Sequence, residues 1–434
     1  MTRSVLLSNY IILMVISWWC CSCCYLAHAT STYGDHHHHR SSSSLSNLSN
    51  WARQHGTVLH PAVQWVDYGN GDWGLQLTSK VDRGTELIRV PRSIVLDSVM
   101  IKDEFLTSSS STTSGDIDNA TNECIIDALG AFQVHEENFW IVLKLYQCLR
   151  EGKHAPWIDA MPRTFRHFSR EEEDCLPFYV KYIVDYQRQK LDAFIKAASI
   201  ICGHELDGNE KEQFTWAFDA VGSRFWKTTS SINKEDYQPR SELVPIGDMF
   251  NHREPPNVKL YHDNEGDAVC FLYLGDEGEE DNLTCYPKDL LITYGLHYNP
   301  HRFLVIFGFV PTDMKEIWSH FVFSDNNPYS SDISKMVFQC KDGSITQDVW
   351  DAVFYELDPS KDIEVMRHDP MAKFYASEVL NNHVTKQLDE LKQLREKMAS
   401  IKGENLDLIK MHNQFLTDVF RRVQVNLKAE LGKQ

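Results

Sequence analysis

Two short stretches carry residue types that could do chemistry. The first runs from Ser241 to His252: an apolar segment breaks at Gly247 into Asp248-Met249-Phe250-Asn251-His252. Its closing amide and imidazole readily bond something other than their own backbone. Such a segment is a poor helix and a poor plain strand. The second, Leu290 to Gly295, is strand-like and ends in Tyr294-Gly295. It sets a phenol at a strand mouth where glycine permits a tight turn. The two stretches are expected to line one pocket, with Asn251, His252 and Tyr294 facing a ligand.

The surrounding pattern says which elements must position them. From Trp51 to about Asp97, short apolar runs alternate with turns: Val63 to Val66, Tyr68-Gly69-Asn70-Gly71, Leu75 to Thr78, then Leu87 to Val90 stopped by Pro91. This predicts a small β-layer. Residues 107 to 122 are Ser/Thr-rich and read as a loop. Phe139, Val142, Leu143, Tyr146 and Leu149 then recur at helical spacing, and further helices are expected over Glu171 to Ala198 and Glu210 to Phe225. Val258 to Tyr261 and Val269 to Leu274 alternate as a hairpin, and the acidic run Gly275 to Asp281 reads as a solvated loop. From residue 312 onward the chain is expected to be helical. One apolar stripe there runs from Leu380 to Ile401 and another from Ile409 to Val423.

Composition narrows the function classes. With 434 residues, 42% of them hydrophobic, the chain can bury cores for more than one domain. A net charge of -18 argues against nucleic-acid binding, which needs a basic face. Arg3 followed by an apolar run to Leu26 and by Ala27-His28-Ala29 reads as a signal into the secretory pathway, with an uncleaved membrane anchor as the alternative. Residues 30 to 50 read as a polar linker, or as the second half of a bipartite plastid presequence. The cysteines beyond this region show no CxxC spacing, and neither they nor the His36 to His39 tract predicts a metal site. Sequons stand at Asn47, Asn119 and Asn282.

The ordered set Asp248, Asn251, His252, Tyr294, Gly295, Asn299, Gly308 and Phe309 resembles the signature of SET-domain protein methyltransferases, especially the Rubisco large-subunit methyltransferase and actin-histidine methyltransferase group. Asp72-Trp73-Gly74 with Val90-Pro91, and Trp216-Ala217 with Val221-Gly222-Ser223-Arg224, agree with it. The resemblance covers residues 50 to 311. It implies an α+β fold: a SET domain over 51 to 311 with a helical insert at about 123 to 225, then a helical substrate-binding domain over 312 to 434. It also implies S-adenosylmethionine as cofactor, held by Gly71, Asp72, Trp73, Arg224, Asn251, His252, Tyr294 and Phe309. Arg224 would meet the cofactor's carboxylate and Phe309 its adenine, while Asp248 is taken as structural. Tyr294 would be the catalytic residue, lining the channel of a protein-lysine acceptor. Gly247, Thr293 and Pro300-His301-Arg302 depart from the family pattern and leave the acceptor open between lysine and histidine, with lysine the reading adopted. A SET-derived interaction protein without turnover is the rival from another class. The expected partner is a protein substrate bound by the SET cleft and the C-terminal helices, with membrane contact only through an uncleaved anchor.

Overall fold

The computed structural model describes residues 42–69, 72–108, 116–229, 239–263, 266–276, 286–294, 299–311, 314–321, 323–324 and 326–432. The apolar N-terminal run with its Cys20, Cys21, Cys23 and Cys24, the histidine tract, Gly71, Gly295 and the sequon at Asn282 lie outside them.

In chain order the elements begin with helix α1 (Ser42–Gln54) and strands β1 (Val58–Leu59), β2 (Val63–Gly69), β3 (Asp72–Leu77), β4 (Glu86–Pro91) and β5 (Leu96–Asp97). Helices α2 (Ser98–Ser108), α3 (Asp116–Leu129), α4 (Glu136–Glu151), α5 (Ala155–Ile158), α6 (Arg170–Glu173), α7 (Phe178–Cys202) and α8 (Gly208–Arg224) follow. The chain returns to strands with β6 (Trp226–Thr229), β7 (Pro239–Leu243), β8 (Asn251–His252), β9 (Val258–His262), β10 (Ala268–Tyr273) and β11 (Lys288–Ile292). After α9 (Pro300–Arg302) come β12 (Glu316–Trp318), β13 (Val337–Gln339), α10 (Gln347–Leu357), α11 (Ile363–His368), α12 (Pro370–Met398) and α13 (Leu406–Leu431).

These elements form two units. The strand-rich unit holds the described residues of 42–165 and 187–294; the helical unit holds those of 166–186 and 299–432. In the strand-rich unit three small sheets run in the orders β1-β4-β10-β9, β2-β3-β11-β8 and β5-β7-β6. The β9-β10 hairpin pairs as its alternation predicts, with Cys270 opposite Tyr261. Helix α4 turns its apolar residues inward, Phe139 and Leu145 both fully buried, and Gly152 ends it in the left-handed conformation that glycine tolerates. Asp207 and Glu210 cap each other's N–H groups at the start of α8. In the helical unit the stripes of α12 and α13 meet: Leu380 and Val384 lie with Val419, Phe420 and Val423 in one buried cluster. Each such side chain contributes about 1.5–3 kcal/mol when fully buried.

Several expectations are corrected. Residues 42–50, read as linker, belong to α1, whose Leu48 and Ala52 are fully buried and whose Trp51 ring stacks on Trp157 at 6.4 Å. Leu48, Trp51 and Ala52 form a helical stripe that the serines around them disguised. The loop expected over 107 to 122 is helical to Ser108 and again from Asp116. The helix expected from Glu171 breaks before Pro177, and α7 begins at Phe178. The chain after 312 first forms the β12-β13 pair, whose three-residue strands are too short to show a period, and its helices start at Gln347.

Candidate active site

Strand β8 is only two residues long, yet both of its residues are site candidates. It runs parallel to β11, with Asn251 opposite Leu291 and His252 opposite Ile292. The two stretches singled out in the sequence are therefore hydrogen-bonded neighbours. Two residues beyond Ile292, the Tyr294 ring stacks on that of His252, with centroids 5.4 Å apart and planes 18° from parallel. Both rings are buried. On the other side of β11, β3 brings in Trp73, whose carbonyl accepts from Asn251 Nδ2 at 3.4 Å. Gly74 is what permits this approach: a Cβ there would stand 2.7 Å from Asn251 Nδ2 and 2.6 Å from the Tyr68 ring.

The turn before β8 is shaped by two residues whose roles the sequence did not reveal. Ile246 is fully buried with φ +68° and ψ -43°, a conformation that a β-branched residue adopts only under strain. Next to it, Gly247 meets the buried Phe271 ring, where a Cβ would come within 2.2 Å of Cζ. Gly247, read from the family pattern as a position near the acceptor, is thus a packing glycine against Phe271. No side chain fits there.

Asp248 follows, buried and held from two sides. Its Oδ2 accepts from the Trp157 indole at 3.2 Å, and its backbone carbonyl accepts from Arg224 Nη1 at 2.5 Å. Burial pushes its carboxyl up to about 6, against the pull of the Arg224 guanidinium, whose Nη1 lies 3.8 Å from Oδ2. The structural role expected for Asp248 is what the contacts describe: besides the indole and the guanidinium, the backbone at Ile246 and at Asp248 itself acts on its carboxylate. Arg224 is anchored by this carbonyl, and its Nε is buried with no hydrogen-bond partner among the described residues. The indole N–H of Trp73 is in the same condition. Buried donors left open in this way are costly unless something accepts from them.

A third residue missed in the sequence is Asn257, fully buried after the Pro255-Pro256 pair. Its Oδ1 accepts from Leu291 N at 2.7 Å and its Nδ2 donates to Asp289 O at 2.8 Å, while its own N–H bonds Leu291 O. It fixes the loop after β8 to β11, and so fixes the register of Asn251 against Leu291. The signal was an Asn between two strand runs, legible as a turn former but not as a clamp.

The strand-rich unit thus brings Trp73, Arg224, Asn251, His252 and Tyr294 into linked elements. Asp72 opens β3, and Gly71 lies outside the described residues. Phe309 belongs to the helical unit, where it packs on Phe303 at 5.1 Å and Phe307 at 6.3 Å. Among the described residues no cluster of His, Cys, Asp and Glu could hold a metal, and no helix is long and apolar enough to cross a membrane.

Comparison with solved structures places this arrangement. The structure of Rubisco LSMT bound to AdoMet matches with a TM-score of 0.59 at 12% identity, covering 91% of this chain and 93% of that one. The SET domain of LSMT bound to lysine and AdoHcy matches with a TM-score of 0.56 at 12% identity, covering 90% of this chain and 92% of that one. The chain has the SET-domain fold. Rubisco LSMT bound to sinefungin and monomethyllysine gives the same SET match, with a TM-score of 0.57 at 11% identity, covering 90% and 92% of the two chains. No protein-family model matches the sequence, and no curated protein matches it. At this identity, backbone topology is retained through a SET architecture whose individual side chains have largely been replaced.

Proposed function

We propose that this SET-fold protein transfers a methyl group from S-adenosylmethionine to a lysine side chain of a protein substrate. The observation that carries the reading is the parallel β8-β11 pair, which sets Asn251 and His252 beside the strand leading to Tyr294. The residues present fit the cofactor: Trp73 Nε1 and Arg224 Nε are buried donors that await an acceptor, and Gly74 opens the backbone beside Asn251. That solved structures of the same fold hold AdoMet, AdoHcy or sinefungin supports the choice.

In this mechanism Asn251 and the β3 backbone from Asp72 to Trp73 would hold the amino-acid end of the cofactor, and Arg224 would face its carboxylate. When bound, S-adenosylmethionine supplies a methyl on a sulfonium, a leaving group good enough that no metal is needed. Catalysis then rests on alignment and on exclusion of water. The Tyr294 hydroxyl orients the acceptor nitrogen. The buried rings of Tyr294 and His252 keep the surroundings poor in water, which favours the neutral amine over an ammonium whose reference pKa is about 10.4. A protein substrate, recognised with the help of the C-terminal helices, completes the reading.

The test is cofactor-dependent stabilisation followed by transfer. Excess S-adenosylhomocysteine at one hundred times its dissociation constant is expected to stabilise the protein by about 2.7 kcal/mol, and Asn251→Ala to remove most of that gain. Absence of any thermal shift refutes the cofactor. With a lysate and labelled cofactor, label on histidine would move the acceptor class, and binding without transfer would favour the interaction-protein reading.

A further inference from the structure

The segment Pro300-His301-Arg302, which departs from the family pattern, leads to a feature of the helical unit that plays no part in methyl transfer. His301 on α9, His320 in the loop after β12 and His412 on α13 are all buried. His301 Nδ1 lies 2.8 Å from His412 Nε2, and His301 Nε2 lies 2.6 Å from His320 Nε2. The chain of rings ends on two amides: His412 Nδ1 is 3.1 Å from Asn413 Oδ1, and His320 Nδ1 is 3.4 Å from Gln387. The rings do not converge on a point, because His301 spends its two nitrogens on different neighbours. This is no metal site.

The hydrogen bonds fix the protons. Asn413 Nδ2 donates to the Cys175 carbonyl at 3.2 Å, so its Oδ1 must be the acceptor that faces His412. His412 therefore carries its proton on Nδ1 and accepts at Nε2 from His301 Nδ1–H. His301 in turn accepts at Nε2 from His320 Nε2–H, which leaves His320 Nδ1 bare and requires Gln387 to present its NH2 there. Three neutral rings complete the chain with three protons. A fourth has one place to go, His320 Nδ1, where the Gln387 amide must then turn its oxygen to the ring.

We propose that His301, His320 and His412 form an acid-sensitive lock in the helical unit, closed while all three rings are neutral and opened when the chain takes up a proton. The lock joins α9, α12, α13 and the 319–321 loop. His320 has a φ of +58°, and its carbonyl accepts from the Tyr179 hydroxyl of α7 at 2.8 Å, so the loop is held strained against the helices. The groups around the chain give an added charge no counter-ion. Tyr179 stacks on His320 at 4.6 Å, its hydroxyl pushed up to about 12 by burial with Glu390 adding to it, and the Cys175 thiol is raised by burial. From α12, His383 Nε2 donates to the Ser319 carbonyl at 2.8 Å, and His383 stays low by burial, with Lys386 also opposing its charge. Among the described residues no carboxylate acts on the three rings, and burial holds His412 down to about 4, His320 to about 3 and His301 well below 6.5. The sign follows: an unfolded chain takes up these protons near pH 6.5 while the native one does not. The lock is thus at full strength above pH 6.5 and weakens as pH falls toward 4. Each ring raises the unfolding constant about tenfold per pH unit in that window, and three together up to about 10³-fold.

The test uses the full chain. In the native protein, three histidine ring signals are expected not to titrate between pH 8 and 5. Below pH 6.5, hydrogen exchange corrected for its intrinsic rate is expected to accelerate in α12 and α13 before α8. His301→Phe should reduce the pH dependence of the unfolding constant by about tenfold per pH unit. Gln387→Glu, which places a carboxylate on His320 Nδ1, should do the same without removing a ring, and it stands in if His301→Phe fails to fold. Native rings that titrate near pH 6.5, or a pH dependence unchanged in the variants, would overturn the lock.

Discussion

In the strand-rich unit, Trp73 and Arg224 keep buried N–H groups that no described residue accepts, whereas in the helical unit every ring nitrogen of His301, His320 and His412 faces a neighbouring ring or amide. Both clusters are buried and both contain groups that titrate. The difference separates a site from a strut: a polar network with openings spends stability to stay ready for a ligand, and a closed one spends none. The two open donors lie on β3 and at the end of α8. The closed network lies among helices.

Tyr294→Phe puts the largest strain on this contrast. Removing the hydroxyl while keeping the ring on His252 is expected to lower turnover by about 10²- to 10³-fold and to leave cofactor affinity nearly unchanged, as single-turnover rates and titration would show. Full turnover would make Tyr294 a packing residue. Lost affinity would make it a binding one.

Gly247→Ala tests whether the turn before β8 tolerates change. Its new Cβ would press on Phe271, and overpacking of this kind costs about 1–3 kcal/mol in denaturant unfolding. Gly222→Ala, on α8 with open space around it, is the control, expected to be neutral or to gain up to about 1 kcal/mol. Equal effects at both positions would remove the argument that Gly247 is fixed by contact.

Asp248 sharpens the comparison through its sign. Its native carboxyl titrates at about 6 against 3.8 unfolded, so the native protein takes up a proton first as pH falls. The stability it contributes is complete below 3.8 and lost as pH rises through 6, opposite to the histidine lock. Between pH 7 and 5 the gain is about 1 kcal/mol. Asp248→Asn is expected to erase it, leaving a steeper acid loss in the variant than in the parent. Parallel pH curves for the two proteins would show that Asp248 is not shifted.

That Asn251, His252 and Tyr294 lie together was legible from the ordered set of residues they belong to, no one of which carries the reading alone. Their parallel pairing was not legible, because β8 is only two residues long and the segment that holds it reads as neither a helix nor a plain strand. What stayed hidden depends on angles or on distant partners. The role of Ile246 lies in a dihedral, and that of Asn257 in a register between strands thirty-odd residues apart in sequence. His301 lies 19 residues from His320 and 111 from His412, spacings that no local period announces. The buried stripe of α1 was hidden by composition, since Leu48 and Trp51 stand among serines.

The parallel pairing of β8 with β11 also bears on how such a protein can change over generations. Residue 251 finds residue 291 only after the chain has gone out through the β9-β10 hairpin and returned, and Asn257 and Leu291 hold the return shut by hydrogen bonds at both ends. Closing a flexible loop costs entropy that grows only with the logarithm of its length, about 0.6 kcal/mol for each doubling. Chain length between Asn257 and Leu291 can therefore change at little thermodynamic expense while Asn251 stays opposite Leu291.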